Sequence, residues 1–417
     1  MSDGVISVIG AGIVGVATAI WLQRDGHEVV LIDKVGPAAG ASHGNGGVIV
    51  PSGIVPINSP GLIKNAPQML LQPSSPLFLR WAYLPRMLPW LMGYLKRANR
   101  VDAKKVAVAL RNLLVDSVSQ HRELAAGTGA EKWIHDSDYV FVYPDSDAFE
   151  KDKFAWNLRR EAGIKWETLD HDGLHEYDAA FSGTGDFAIR LPDHARIADP
   201  GRYVSDLAEH FVKQGGRMEV ANVSGFDLEK SKLKAVTTDQ GDIVCSKSVV
   251  TSGVWSKAMM QSLGLKIPME SERGYHIDLF KPSAMPRAAM MLAAGKFVIT
   301  PMAGKIRCAG IVEFGGTKAE ASTAPIKLLK SLLAKTCPHL EYERVEQWMG
   351  HRPAPVDSIP LIGALSKSPD VYAAFGHHHI GLTAGPKTGR LVADLIGGRR
   401  CEIDLQPYSP QRFVGSH

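Results

Sequence analysis

The 417-residue sequence predicts an α/β protein built around a parallel sheet. Three observations predict it. A strand, a glycine-rich turn, a helix and a second strand follow one another at the N-terminus, and short buried strands recur near residues 248 and 371. Hydrophobic residues make up 45% and charged residues 22% of the chain, as is usual in globular enzymes. The length suggests two or three domains.

Charge and cysteine content exclude several classes of protein. The formal net charge of +4 is too small to indicate nucleic-acid binding. The four cysteines are far apart and form no C-x-x-C motif, so neither a disulfide framework nor a zinc site is predicted.

The first element is an uncharged run from Val5 to Leu22, long enough to suggest a membrane span. Its glycines divide it instead into a strand at 5–9, a turn at 10–15 and a helix from Ile13 to Arg24. Gly26 ends this helix, and residues 29–32 form a second buried strand. No basic region precedes the run, so we expect a cytoplasmic protein without a signal peptide.

The turn has the pattern G-x-G-x-x-G and is followed by an acid, Asp33, at the end of the second strand. Gly10 permits the tight turn, Gly12 lets backbone approach a pyrophosphate, and Gly15 allows close packing of helix on strand. Free N–H groups at the helix N-terminus favour phosphate. Asp33 suits ribose hydroxyls and disfavours a 2′-phosphate, so the pattern predicts a dinucleotide, either FAD or NAD.

Later segments favour FAD. The run GASHGNGG at 40–47 exposes backbone N–H groups that suit a phosphate or a flavin ring. A strand near 248–250 ends in a turn of small residues, and a strand at 370–375 leads into GHHHIGLT and a helix that ends at Ile396. The N-terminus of that helix suits the negative charge of a reduced flavin.

Six segments occur in an order that resembles a known family: VIGAGIVGVATAIWL, GASHGNGG, VVTSGVWS, ERGYH, GHRPAPVDSIPLIG and GHHHIGLTAGPKTGRLVADLI. The chain resembles the FAD-dependent D-amino-acid oxidase/glycine oxidase superfamily, and most of all its bacterial D-amino-acid dehydrogenases, including those acting on hydroxy-D-proline. The resemblance implies non-covalent FAD, a small amino-acid substrate, hydride transfer from Cα to flavin N5, and a quinone or other respiratory electron acceptor. A sarcosine, glycine or opine-type amine oxidase and a non-catalytic flavoprotein subunit remain the alternatives.

The family fold interleaves two domains. We expect a Rossmann-like FAD-binding domain at 1–60, 195–265 and 355–417, and a sheet-based α+β substrate domain at 61–194 and 266–354. The predicted cofactor-binding residues are Gly10, Gly12, Ile13, Val14, Gly15, Asp33, Lys34, Ala41, Ser42, His43, Asn45, Gly46, Gly47, Val223, Thr251, Ser252, Gly253, Trp255, Gly376, His378, Ile380, Gly381, Leu382 and Thr383.

The candidate catalytic residues are Arg352, Tyr275, His276 and His377. Arg352 precedes a proline, so its backbone is extended, and its planar fork suits the substrate carboxylate. Tyr275 is expected to assist that contact, and the resemblance places His276 and His377 near substrate or flavin. Arg352 could instead be a surface or salt-bridged arginine, and Tyr275 and His276 could instead be structural residues. Consecutive histidines at 377–379 point in different directions on a strand, so no metal site is predicted.

A further segment has an unusual charge pattern. Residues 34 to 101 contain no acid and seven bases, and residues 77–100 combine these bases with aromatic and aliphatic side chains. Two interpretations stay open. One is a pair of helices broken by Pro85 and Pro89 that covers the substrate pocket. The other is peripheral contact with the inner face of the cell membrane.

Overall fold

A computed structural model describes residues 4–60 and 76–414. Its strands are β1 (Ile6–Ile9), β2 (Val29–Asp33), β3 (Val48–Ile49), β4 (Leu77–Leu79), β5 (Ile134–Tyr143), β6 (Glu167–Leu169), β7 (Phe187–Ile197), β8 (Arg217–Val220), β9 (Val223–Glu229), β10 (Lys232–Thr238), β11 (Gly241–Val244), β12 (Lys247–Val250), β13 (Met269–Phe280), β14 (Ala289–Leu292), β15 (Phe297–Met302), β16 (Lys305–Phe314), β17 (Arg344–Pro355), β18 (Leu361–Ala364) and β19 (Val371–Phe375).

The α-helices of the described residues are α1 (Ile13–Arg24), α2 (Leu84–Lys96), α3 (Arg100–Leu114), α4 (Ser117–Ala125), α5 (Ser146–Lys151), α6 (Lys153–Glu161), α7 (His171–Tyr177), α8 (Pro200–Lys213), α9 (Ser256–Ser262), α10 (Thr323–Thr336) and α11 (Gly381–Ile396).

A six-stranded sheet in the order β18-β19-β12-β1-β2-β8 forms the first layer. All of its neighbouring pairs are parallel except β18 with β19. Apolar side chains of α1, α8 and α11 fill one buried cluster with β1 and β2. Burial of both faces explains why the strands read as continuous apolar runs in the sequence.

Local signals account for the helix ends. α1 begins after Gly12, whose backbone is extended, and Gly10 at φ +107° makes the preceding turn. α8 begins after Asp199, whose carboxylate accepts a hydrogen bond from the Arg202 N–H, with Pro200 at the first helical position. The predicted bounds of α1 are therefore confirmed.

The second layer is a mostly antiparallel sheet of ten strands, with eight in the order β17-β13-β16-β15-β14-β5-β7-β3. β4 and β6 pair at its sides with β16 and β7, and a separate three-stranded sheet contains β9, β10 and β11. Strands from positions as distant as 48 and 355 meet in one sheet, so the two layers are interleaved along the chain.

Two features depart from the predicted domain bounds. β3 falls in the predicted cofactor segment 1–60 but pairs with β7 of the ten-stranded sheet. α3 and α4 fall in the predicted substrate segment, yet their apolar faces join the buried cluster of α1 and α11. Residues 61–75, where that segment begins, lie outside the described residues.

The segment at 77–100 is not a broken pair of helices. α2 continues through Pro89, and Pro85 occupies its first turn, where a missing N–H costs nothing. Met87, Trp90 and Tyr94 pack into the core, and the Trp90 indole donates to the Ala354 carbonyl at 2.9 Å. No described helix is long and apolar enough to cross a membrane.

Candidate active site

A cavity of about 910 Å³ lies between the two sheets. It extends from the end of β2, past the glycine turn and the start of α11, to the pocket-facing side of the ten-stranded sheet. Most of the predicted cofactor residues line it, and so does Arg352. Gly12 and Arg352, which are 340 positions apart in the sequence, thus border one cavity.

The glycine turn shapes the first end of the cavity. A Cβ on Gly12 would meet only the Ser42 hydroxyl, at 3.2 Å, so open space lies beside this backbone. A Cβ on Gly15 would lie 1.8 Å from the Gly10 carbonyl oxygen, so Gly15 supports packing of α1 on the sheet. Asp33 accepts from the Ala11 N–H at 2.8 Å and from the Val35 N–H at 2.9 Å, which fixes the turn to the end of β2.

The loop at 40–47 is held against both layers. The Ser42 hydroxyl accepts from the Ile13 N–H at 3.0 Å, which brings the loop to the N-terminus of α1. Arg307, buried in an ion pair with Asp278, donates to the carbonyls of His43 and Asn45. Six residues of this loop line the cavity, and His43 does not: Gly40, Ala41, Ser42, Gly44, Asn45 and Gly46.

Arg352 lies at the other end of the cavity. Its side chain crosses Gly274 of β13, where a Cβ would lie 2.5 Å from the guanidinium carbon. One terminal nitrogen donates to Glu272 at 2.9 Å, and its side chain is 26% exposed. Its other N–H groups donate to no residue of the described part of the chain, so they are available to an anionic ligand.

Glu272 is a buried carboxylate shared by two basic side chains. Register pairs it directly with Arg352 across β13 and β17. Its second oxygen lies 2.6 Å from Nε2 of His378. Burial favours a raised pKa for Glu272, but His378 and Arg352 outweigh burial and lower this pKa to about 2. The carboxylate is therefore ionised at neutral pH and orients Arg352.

The histidine loop contributes uncharged rings and one unsatisfied atom. Burial lowers the pKa values of His377 and His379 to about 3, so both are neutral at pH 7. His378 has φ +50°, and its N–H donates to the Pro353 carbonyl at 3.0 Å. Its buried Nδ1 has no partner among the described residues and belongs to a cavity-lining residue.

Several predicted site residues do not face the cavity in the expected way. The Tyr275 hydroxyl donates to Glu313 at 2.7 Å and accepts from the Ser322 N–H at 2.9 Å, so it is not free for a substrate carboxylate. Tyr275 borders the cavity, but it alternates with Glu272 and Gly274 along β13, and its ring packs among the buried residues of the substrate sheet. Its contact with a substrate carboxylate stays a prediction.

His276 is on the cavity side of β13 but lies beyond the cavity. It stacks on Trp348 with ring centroids 5.1 Å apart, and its Nδ1 lies 3.1 Å from the Gly44 carbonyl. Burial and the nearby Arg307 lower its pKa to about 3. His276 is therefore a neutral packing residue that supports the loop at 40–47.

Two predicted histidines lie in different surroundings. His377 lines the cavity, and its Nε2 lies 2.9 Å from the Thr388 hydroxyl of α11. The His43 ring lies beside Gly201 at the start of α8 and is outside the cavity lining. Gly15 and Gly47 are absent from the lining because neighbouring atoms enclose them.

Sequence reasoning missed two groups of lining residues. Glu272 and Gly274 occur in the same segment as Tyr275, and strand alternation would have assigned them to the Arg352 face. Lining residues from the substrate sheet and its neighbours had no local signal: Val50, Tyr139, Phe141, Arg159, Met291, Lys296, Val298 and Trp348.

Comparison with known proteins matches residues 6–395 to the family described as FAD dependent oxidoreductase. A D-amino-acid oxidase of Bradyrhizobium diazoefficiens is 37% identical over 416 residues, covering 98% of this chain and 99% of that protein. The chain belongs to the FAD-dependent oxidoreductase family. A D-amino acid dehydrogenase of Rhizobium rhizogenes is 28% identical, covering 98% and 99% of the two chains.

Solved structures agree with the fold of this family. Glycine oxidase from Geobacillus kaustophilus superimposes with a TM-score of 0.74 at 20% identity, covering 99% of both chains. L-proline dehydrogenase from P. horikoshii gives the same TM-score, covering 98% and 97%. This FAD-dependent oxidoreductase is therefore an enzyme with an FAD-binding layer and a substrate sheet.

The cavity fits FAD on two observations. The N-termini of α1 and α11 both border it, neither has an acid in its first turn, and neither is capped by the side chain of its own N-cap residue. The open space beside Gly12 admits a pyrophosphate. FAD, when bound, supplies the two-electron oxidant.

Replacing Glu272 by glutamine is expected to raise the substrate KM about tenfold, because Arg352 loses a charge-assisted hydrogen bond that orients it. The pKa of Glu272 is depressed from 4.5 to about 2, so its stabilisation is present above about pH 4.5 and is lost as pH falls toward 2. The thermal midpoint of Glu272→Gln should therefore lie below that of the wild type by the same amount at pH 7 and at pH 5.

Glu270→Gln is the matched control, because Glu270 is a buried acid on the same strand that contacts Tyr83 instead of Arg352. It should leave KM unchanged. Equal KM values for wild type and Glu272→Gln would show that Arg352 is oriented without Glu272.

Proposed function

We propose that this enzyme oxidises a D-amino acid to the corresponding imine, which hydrolyses in water to a keto acid. Linear and cyclic D-amino acids, including D-proline and hydroxy-D-proline, are the candidate substrates. The observation that supports this proposal is Arg352, held by Glu272 over Gly274 with N–H groups free, in the cavity that also fits FAD. The names of the two sequence relatives point the same way.

The chain's own residues would position the substrate rather than act as strong bases. Arg352 binds the carboxylate through its free N–H groups, and Glu272 stays ionised and fixes the guanidinium. The neutral imidazoles of His377 and His379 add no positive charge that would repel the substrate amine. Proximity and orientation then supply most of the rate, as expected for an oxidation that needs no general base.

Anaerobic bleaching of the flavin spectrum by a panel of D- and L-amino acids, sarcosine and glycine tests the proposal. D-amino acids should reduce the flavin fastest. Faster reduction by sarcosine or glycine would favour the amine-oxidase alternative. A flavin that no amine reduces would favour a non-catalytic subunit.

We propose that the electrons pass to a quinone or another respiratory acceptor while α2 rests on an anionic membrane surface. The supporting feature is the outer face of α2 and the preceding turn. Trp81 is 60%, Leu88 46% and Met92 65% exposed, and Arg86 and Lys96 lie exposed beside them. Apolar anchors with flanking bases suit the interface of an anionic bilayer.

Changing Arg86, Lys96 and Arg100 to glutamine is expected to weaken binding to anionic vesicles about 100-fold, since each base near such a surface contributes about 1 kcal/mol. Co-sedimentation with phosphatidylglycerol vesicles measures this. The control replaces the exposed bases Lys230 and Lys232 of the small sheet and should leave binding unchanged. Wild-type protein that stays in the supernatant would refute the membrane contact.

A further inference from the structure

Arg159 of α6 is a buried arginine with no acidic partner in the described part of the chain. It is 8% exposed and lines the same cavity as Arg352. Its Nε donates to the Ser52 carbonyl at 3.3 Å, and its guanidinium carbon lies 4.5 Å from the centre of the Trp156 ring. Nearby Asp152 already accepts from the Tyr143 hydroxyl at 3.0 Å.

The terminal nitrogens of Arg159 face open space. These nitrogens donate to no described residue, but they are not sealed from solvent. Because Arg159 lines the cavity, they border it. Burying an unpaired cation is costly, and arginine is almost never buried without a partner. Lys296 also lines the cavity, where it is solvent-exposed and makes no ion pair with a described residue. Arg159 is therefore a buried positive charge at the cavity with no anion from the described residues.

The wall between Arg159 and Arg352 is apolar. Tyr139 and Phe141 of β5, Met291 of β14 and Val298 of β15 line it. Four strands lie between β5 and β17 in the sheet. The Arg352 guanidinium lies over Gly274 of β13, and the Arg159 guanidinium carbon lies 5.0 Å from the Phe141 ring of β5. Four inter-strand steps of about 4.8 Å, roughly 19 Å along the sheet, lie between these two strands. A ligand that touches both needs an apolar spacer.

We propose that Arg159 binds a second carboxylate of the substrate, so that the enzyme acts on dicarboxylic D-amino acids. The α-carboxylate binds Arg352, methylene groups lie along the apolar wall, and the distal carboxylate pairs with the Arg159 fork. This inference rests on the proposed oxidation of D-amino acids and specifies its substrate class.

The test compares acids with their uncharged isosteres. D-glutamate, D-2-aminoadipate and D-2-aminosuberate are each paired with the side-chain amide, and kcat/KM is measured by flavin reduction. Wild type should prefer the acid about 30-fold or more at the best spacer length, the scale expected when a buried charge pair loses one partner. Arg159→Met should bring that ratio close to one, because turnover of the acid falls toward turnover of the amide.

Two variants control for folding and charge. Arg160→Met alters the exposed neighbour on α6 and should keep the wild-type ratio. Arg159→Lys keeps the charge without the fork and should recover part of the preference, so it answers the question even where Arg159→Met fails to fold. The proposal is overturned by a wild type that turns over acid and amide equally, or by an Arg159→Met protein that loses both equally.

A binding measurement separates this inference from the proposed function. Adipate and suberate are not oxidised, but binding near the flavin should perturb its visible spectrum. Both should bind wild type at least tenfold more tightly than butyrate, and Arg159→Met should abolish the difference. Should no amino acid reduce the flavin while this difference persists, the proposed function fails and the distal carboxylate site stands. Equal binding of mono- and dicarboxylates to wild type overturns the site.

Discussion

Replacing Arg352 by methionine is expected to lower kcat/KM for the best D-amino acid by about 30-fold to several-thousand-fold. The substrate carboxylate loses a charge-assisted, bidentate contact, which costs about 2–5 kcal/mol when one partner is truncated. The misplaced substrate also presents its Cα hydrogen poorly, so both KM and the reduction rate should change. Stopped-flow flavin reduction separates these two effects.

Arg352→Met should retain FAD, because the side chain lies outside the glycine turn and the loop at 40–47. Arg352→Lys should recover only part of the activity, since an ammonium does not reproduce the planar fork. Arg344→Met, at the exposed start of β17, is the matched control and should behave as wild type.

A substrate methyl ester identifies the group that Arg352 binds. Wild type should discriminate strongly against the ester, and Arg352→Met only weakly. An unchanged acid-to-ester ratio would mean that the carboxylate lies elsewhere in the cavity. Arg159 and Lys296 would then be the cationic residues to test, since the Arg273 side chain is fully buried against Glu313.

The cofactor layer was predictable because its signals are local. The glycine turn, the Asp199 cap and the apolar strand of β1 each act within a few residues of the backbone they shape. The bounds of α1 follow directly from Gly12 and Gly26. Nothing beyond neighbouring residues is needed to place these elements.

The substrate face was less predictable because it depends on pairing between distant strands. Register sets Glu272 beside Arg352 across 80 positions, and the same alternation turns Tyr275 into the core. Arg159 reaches the cavity only because α6 packs over β5, which no local pattern reports. Pro85 and Pro89 likewise suggested a break, but core packing of Trp90 and Tyr94 accommodates both within α2.

Replacing Gly15 by alanine is expected to abolish recovery of the yellow holoprotein, or to lower its thermal midpoint by about 10 °C or more. The added Cβ would lie 1.8 Å from the Gly10 carbonyl oxygen and 2.5 Å from the Thr251 hydroxyl. Because the first contact is backbone, α1 must move away from β1, and its N-terminus would leave the cavity. Flavin absorbance per protein and thermal unfolding measure the two consequences.

Two glycines make this test specific. Gly225 in β9 has open space around its added Cβ, so Gly225→Ala should retain both flavin and stability. Gly12→Val should separate loss of flavin from loss of stability. Its side chain would occupy the pyrophosphate space, and its Cβ would meet only the Ser42 hydroxyl. That protein should fold without FAD. A Gly15→Ala protein with full flavin and the wild-type thermal midpoint would show that α1 can shift without disturbing the site. Close packing of α1 on β1 would then not be the role of Gly15.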